Sequence, residues 1–211
     1  MKFMRENQQP IPKTTELLRL KIQKILDLSG DGLVVYLADE DFSNHRNSRY
    51  HDIAFYMNIE TGGIEECSPQ DIISIMEDPN IIHFIWLSNC WKRGDIFFAW
   101  LYAHELKHLK QDIDTPNISV KTKQLWELYR NSNCSNTNQY YQHDLPVEYD
   151  ADLVAKYIIE RLFSKKQVDD FFNLMISDGK RANSFRHLQT IDGTLCYDYN
   201  YQTDNLTTKL S

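Results

Sequence analysis

Residues 95–111 read DIFFAWLYAHELKHLKQ, and the fold turns on how this stretch is placed. Ile96, Phe97, Phe98, Trp100, Leu101, Tyr102, Leu106 and Leu109 surround most of the axis of a helix drawn through it. That is the pattern of a helix buried within a domain rather than lying on its surface. Inside it, HELKH sets His104 and His108 four residues apart, so both imidazoles leave one face a turn apart, with Glu105 beside them. Polar groups left unpaired in such surroundings cost on the order of 1–3 kcal/mol each. A metal ion shared by the two imidazoles removes that cost. One Zn2+ suits them: it accepts neutral imidazole nitrogen at ~2.0–2.1 Å, and a catalytic zinc takes three protein ligands and leaves a fourth position for water. Glu105 is then the catalytic group, a general base for that water.

Working outward from this helix, the flanking sequence predicts a small mixed or antiparallel sheet before it and a mostly helical part after it. A near-helical leucine and isoleucine stripe over 14–28 ends at SGDG, with Gly30 placed for a C-terminal cap. LVVYLA at 33–38 and IAFYMNI at 53–59 read as strands, the second followed by a TGG turn and the strand-like IEEC. Pro69 opens a helix over DIISIMED, Pro79 breaks it, and IIHFIWLS at 81–88 supplies another strand. Beyond the central helix come an amphipathic segment over 119–130 and the Ser/Asn-rich loop NSNCSNTNQYYQHD. A second long helix, PVEYDADLVAKYIIERLF, starts at Pro146, with acids near its positive end and Arg161 near the other. QVDDFFNLMIS at 167–177 is one more helix, and the last thirty residues show no strong periodicity. The fold class expected is α+β: one domain over 1–211, with a core of about 10–180 and a tail over 181–211.

The third ligand comes from another element. In the second long helix, Glu148 and Asp152 are four apart and share a face, whereas Tyr149 and Asp150 project elsewhere. His143 in the Asn-rich loop and Asp114 just past the central helix are alternatives. With HELKH followed by this acidic helix, the sequence resembles the gluzincin metallopeptidases, in which HExxH is followed by a zinc-binding Glu and then an Asp. The nearest local likeness is the Glu-x-x-Ala-Asp signature of the M48-type peptidases, matched by Glu148, Ala151 and Asp152, and the ImmA/IrrE peptidases carry a related arrangement. The resemblance implies a zincin-like fold in which His104, His108 and Glu148 bind zinc and Asp152 orients a zinc histidine. It also implies that IIHFIWLS is the sheet edge holding substrate as an added strand. It calls for an oxyanion donor downstream, for which His187 and Tyr197 are the candidates, with Arg186 and Tyr199 behind them. Lys107 stands where ImmA-like and many M48-type motifs have Gly, so the resemblance is to the class rather than to a subfamily. A metzincin would need Gly at 111 and His at 114, where this chain has Gln111 and Asp114. SprT-like peptidases use a third histidine in a place similar to that of His143.

Composition narrows the function classes. The 211 residues carry 23 Lys+Arg against 30 Asp+Glu, a formal charge of -7, the wrong sign for a protein that tracks phosphate backbones, so nucleic acid is not an expected partner. No apolar run approaches the ~20 residues of a membrane-spanning helix, and Glu6, Asn7, Gln8 and Gln9 occupy the place of a signal peptide's apolar region. Cys67, Cys90, Cys134 and Cys196 make no CxxC pair and read as reduced, buried thiols. The expectation is a cytoplasmic zinc peptidase of narrow specificity acting on a protein or peptide substrate, with a regulatory protein partner to gate it. The alternative is a non-catalytic module of the same fold that binds a partner.

Overall fold

The computed structural model describes residues 1–39, 54–59, 77–114, 146–179 and 182–191. Four strands form one mixed sheet: β1 (Lys2–Arg5), β2 (Leu33–Leu37), β3 (Ala54–Asn58) and β4 (His83–Leu87), in the order β1-β2-β4-β3. β1, β2 and β4 run parallel, and β3 pairs antiparallel with β4. Every residue of LVVYL in β2 is buried, as expected of an inner parallel strand covered on both faces. Five α-helices are described: α1 (Lys13–Leu26), α2 (Asp95–Asp114), α3 (Pro146–Leu162), α4 (Lys165–Ser177) and α5 (Ala182–Gln189). The architecture is therefore α+β and mostly helical, with a small mixed sheet. Among the described residues, no helix is long and apolar enough to cross a membrane.

The chain divides into two compact units, Met1–Lys110 and Gln111–Ser211, with the division falling inside α2. In the first unit the alternation of the strands sorts two apolar layers. One gathers Val34, Tyr36, Phe84 and Trp86 with Met4, Phe55 and Met57; Phe55 stacks on Trp86 at 5.6 Å. Phe3, on the opposite side of β1 from Met4, meets Phe98 and Tyr102 of α2 at ring separations of 6.3 and 6.2 Å, so α2 lies against that second face. At the end of β4, Ser88 caps a 3-10 turn over Asn89–Arg93, and the Trp91 indole donates to the Ala38 carbonyl at 2.8 Å. Arg5 and Lys92 converge on the Asp39 carboxylate at 2.9 and 2.7 Å. Partial burial would raise the Asp39 pKa, but hydrogen bonds from Lys92 and Arg5 outweigh it and hold the carboxyl below its ordinary value. Gly94 then turns the chain into α2 at φ 138, a conformation that side chains with a Cβ rarely adopt.

In the second unit, Phe171 and Phe172 of α4 and Phe185 of α5 form a triangle of edge-to-face rings, with separations of 5.8 to 6.2 Å. Lys156 of α3 is buried, pairs with Glu160 one turn on, and lies over the Phe172 ring at 5.4 Å.

Several expectations need correction. β4 is not a sheet edge: β2 and β3 occupy its two sides, and the edges of the described sheet are β1 and β3. A substrate strand therefore has no free side of β4 to join. α1 is closed not by Gly30 but by Asp27, which takes the left-handed conformation at φ 52 and turns its N–H back to Gln23 and Lys24 carbonyls. Gly30 and Gly32 serve the turn into β2 instead, at φ +70 and +67. Two elements went unforeseen: the N-terminal strand β1, and α5 in a stretch without strong periodicity. Cys90 is buried and free. The expected hairpin over IEEC, the helices over DIISIMED and 119–130, the Asn-rich loop and the other three cysteines lie outside the described residues, Glu77 and Asp78 of DIISIMED excepted.

Candidate metal centre

α2 takes the HELKH motif into an apolar setting. Phe98, Ala99, Tyr102, Ala103, Leu106 and Leu109 are buried, and so are the polar His104, Glu105, Lys107 and Gln111. All four polar residues have interaction partners, as burial demands. Burial also pushes the neighbouring Tyr102 phenol up from its ordinary value, so it stays protonated.

The helical spacing of His104 and His108 has a direct geometric result. Their Nε2 atoms stand 3.1 Å apart, with the ring planes crossed at 78°. Two imidazole nitrogens on one tetrahedral zinc would stand about 3.3 Å apart, from bonds of ~2.0–2.1 Å. One helix thus holds both donors close to the spacing that a shared ion requires. Glu148 completes a set: one ligand atom from each of His104, His108 and Glu148 lies within 4.8 Å of the others, a group that could hold a metal ion. His104 is buried, and His108 and Glu148 are half-buried. Two imidazole nitrogens and one carboxylate oxygen are the donors of a catalytic zinc or another divalent transition ion. Pro146 begins α3, and Glu148 lies in its first turn, where the positive end of the helix dipole favours a carboxylate.

The remaining residues singled out from the sequence fall as follows. Asp152 is buried one turn beyond Glu148, and Glu105 is buried next to His104. α2 continues unbroken through Asp114, so the sharp turn of a metzincin at residue 111 is absent. His187, on α5, has its Nε2 3.2 Å from the Tyr149 hydroxyl, with the two rings stacked at 5.8 Å. Arg186 donates to Asn183 Oδ1 at 2.8 Å. Neither belongs to the metal-ligating group. His143, Tyr197 and Tyr199 lie outside the described residues.

The sequence reading meets Gln111 only as the residue in place of a metzincin glycine, and the structure gives it a further part. Gln111, only 2% exposed, donates from Nε2 to Asp150 Oδ2 at 3.1 Å. Its signal was available, because positions 104, 108 and 111 follow the i, i+4, i+7 spacing of one helical face. Comparisons with protein-family models, with curated proteins and with solved structures find no match for this chain.

Proposed function

We propose that the chain is a zinc-dependent peptidase of the gluzincin class, with His104, His108 and Glu148 as metal ligands and Glu105 as the general base. The observation that carries this reading is the His-His-Glu group, whose ligand atoms lie within 4.8 Å of one another next to a buried glutamate. A purely structural zinc is normally closed by four protein ligands and has no need of that extra carboxylate. When bound, the ion would polarise a scissile carbonyl and make water acidic enough to ionise near neutral pH. Glu105 takes a proton from the attacking water on a carboxylate oxygen as the new C–O bond forms. It then passes the proton to the amide nitrogen as the C–N bond breaks, leaving a carboxylic acid and an amine. Asp152 would act through a histidine, accepting a ring N–H and so fixing which nitrogen faces the ion. The substrate is a protein or peptide, and cytoplasmic residence with a gating partner belongs to the same proposal.

The test combines zinc content with cleavage of an unfolded protein such as casein. Stoichiometric zinc with chelator-sensitive cleavage is the expected result. Zinc-loaded protein that cleaves no unfolded or folded substrate would favour the non-catalytic alternative.

A further inference from the structure

The proposed third ligand sits in the first turn of α3, a demanding place from which to aim a side chain. The leading N–H groups of a helix have no partners inside it, and helix ends fray. Glu148, Tyr149 and Asp150 are consecutive there. At 3.6 residues per turn, successive side chains leave the axis about 100° apart, so Tyr149 and Asp150 leave on different sides. Both are held. Asp150 Oδ2 accepts from Gln111 Nε2 at 3.1 Å, and the Tyr149 hydroxyl meets His187 Nε2 at 3.2 Å. The first contact engages a buried amide and the second an exposed imidazole, so the first is the more expensive to break. A carboxylate acceptor also makes a stronger hydrogen bond than a neutral one.

We infer that the Gln111–Asp150 hydrogen bond is a positioning device for the metal centre. It fixes the rotation of the first turn of α3 about its own axis, and with it the direction in which Glu148 presents its carboxylate. Gln111 and Asp150 are positioning residues that act through Glu148. This inference rests on the metal-centre reading and adds to it a reason for a buried glutamine on the helical face that carries both histidines. Asp150, which the sequence sets aside as a residue pointing away from zinc, becomes a determinant of zinc affinity.

The experiment is zinc affinity on the full chain, by competition with a chromophoric chelator, with the melting temperature recorded alongside. Gln111→Leu and Gln111→Glu each weaken zinc binding about 10–100-fold, the second because it sets one carboxylate against another. Combining Gln111→Glu with Asp150→Asn rebuilds the bond with donor and acceptor exchanged, and most of the affinity returns. The visible spectrum of the Co2+-loaded protein follows the same order, altered in the single variants and restored in the reversed pair. Asp150→Ala, at a half-buried position, reports the same loss if the Gln111 variants do not fold. A wild type that takes up no zinc overturns the metal-centre reading and this inference together. A wild type that binds zinc, with folded single variants that bind as tightly or a reversed pair that recovers nothing, overturns this inference alone.

Discussion

Helices α2 and α4 put polar side chains to opposite uses. In α4 they sit where local rules place them: Ser164 and Gln167 form a reciprocal capping box, Lys166 and Asp170 pair on the exposed face at 2.6 Å, and Val168, Phe171 and Phe172 take the buried stripe. α2 instead buries His104, Glu105, Lys107 and Gln111 in a helix whose apolar residues surround most of its axis. A sequence that obeys local rules throughout makes a stable helix; one that breaks them in a cluster spends stability on something else, and functional sites are where such conflicts gather. The contrast predicts that substitutions in α2 and in the metal group alter chemistry more than stability, and that substitutions in α4 do the reverse.

The largest effect is expected at Glu105. Glu105→Gln should lower turnover by ~10²–10⁴ while zinc stays near stoichiometric and the melting temperature does not fall, since a buried carboxylate is replaced by an amide of the same shape. A variant that keeps its turnover but loses stability would put α2 in the same category as α4. Next comes Glu148→Ala, expected to strip or greatly weaken the metal, whereas His143→Ala leaves it in place. Zinc counted by atomic absorption after dialysis decides between them. Release by His143→Ala with retention by Glu148→Ala would move the chain to a three-histidine class.

The legibility of the two helices in the sequence follows from the same contrast. α2 was readable because its apolar residues surround the axis and its histidines fall at the spacing of one face, both of them local properties. α4 and α3 were readable from amphipathic period and Pro146. β2 and β4 were readable because inner parallel strands are continuous apolar runs. β1 was not: KFMR is four residues with a cation at each end, and it is a strand because Lys2 to Arg5 register with Val34 to Leu37. α5 escaped because ANSFRHLQ offers only Phe185 and Leu188 to the buried side, too few for a period to emerge. The order of β2, β4 and β3 depends on pairings between distant residues, so nothing local in IIHFIWLS corrects the edge position that the resemblance implies for it. In the candidate site, spacing fixes the two histidines, and Glu148 is preferred to His143 and Asp114 by the resemblance and by Asp152 one helical turn on. The spacing of 104, 108 and 111 puts Gln111 on the histidine face, but its bond to Asp150 is a single contact between residues far apart in sequence, and no periodicity names that partner.

On the α4 side the expected effects are smaller and confined to stability. Ser164→Ala removes the side-chain acceptor of the capping box and should cost about 1 kcal/mol, read as a shift in the denaturation midpoint, with zinc content and turnover unchanged. A loss of zinc in this variant would show that the stability of α4 and the metal centre are coupled, and the comparison would lose its force.

The smallest effect belongs to a polar pair that is neither buried nor in a cap. Lys2 Nζ lies 2.8 Å from Asp78 Oδ2, and Asn80 adds hydrogen bonds from its backbone and side chain to Oδ1. The Lys2 hydrogen bond, with those of Asn80, lowers the Asp78 pKa from 3.8 to about 2. Because the folded value lies below the unfolded one, this carboxylate stabilises the fold fully above about pH 4, and the contribution is lost as pH falls from there through about 2. Lys2 is exposed and Asp78 half-buried, so the pair stays open to screening by salt. In metal-free protein, where loss of zinc cannot mask the effect, Lys2→Met should lower the melting temperature slightly at pH 6. The difference from wild type should narrow as pH falls from about 4, be mostly gone by about pH 2, and shrink at high salt. A difference that survives unchanged at pH 2 would mean that Lys2 acts through its packing on β1 rather than through its charge. Polar groups would then have to be ranked by the apolar surface their stems cover, not by how far their charges are withdrawn from water.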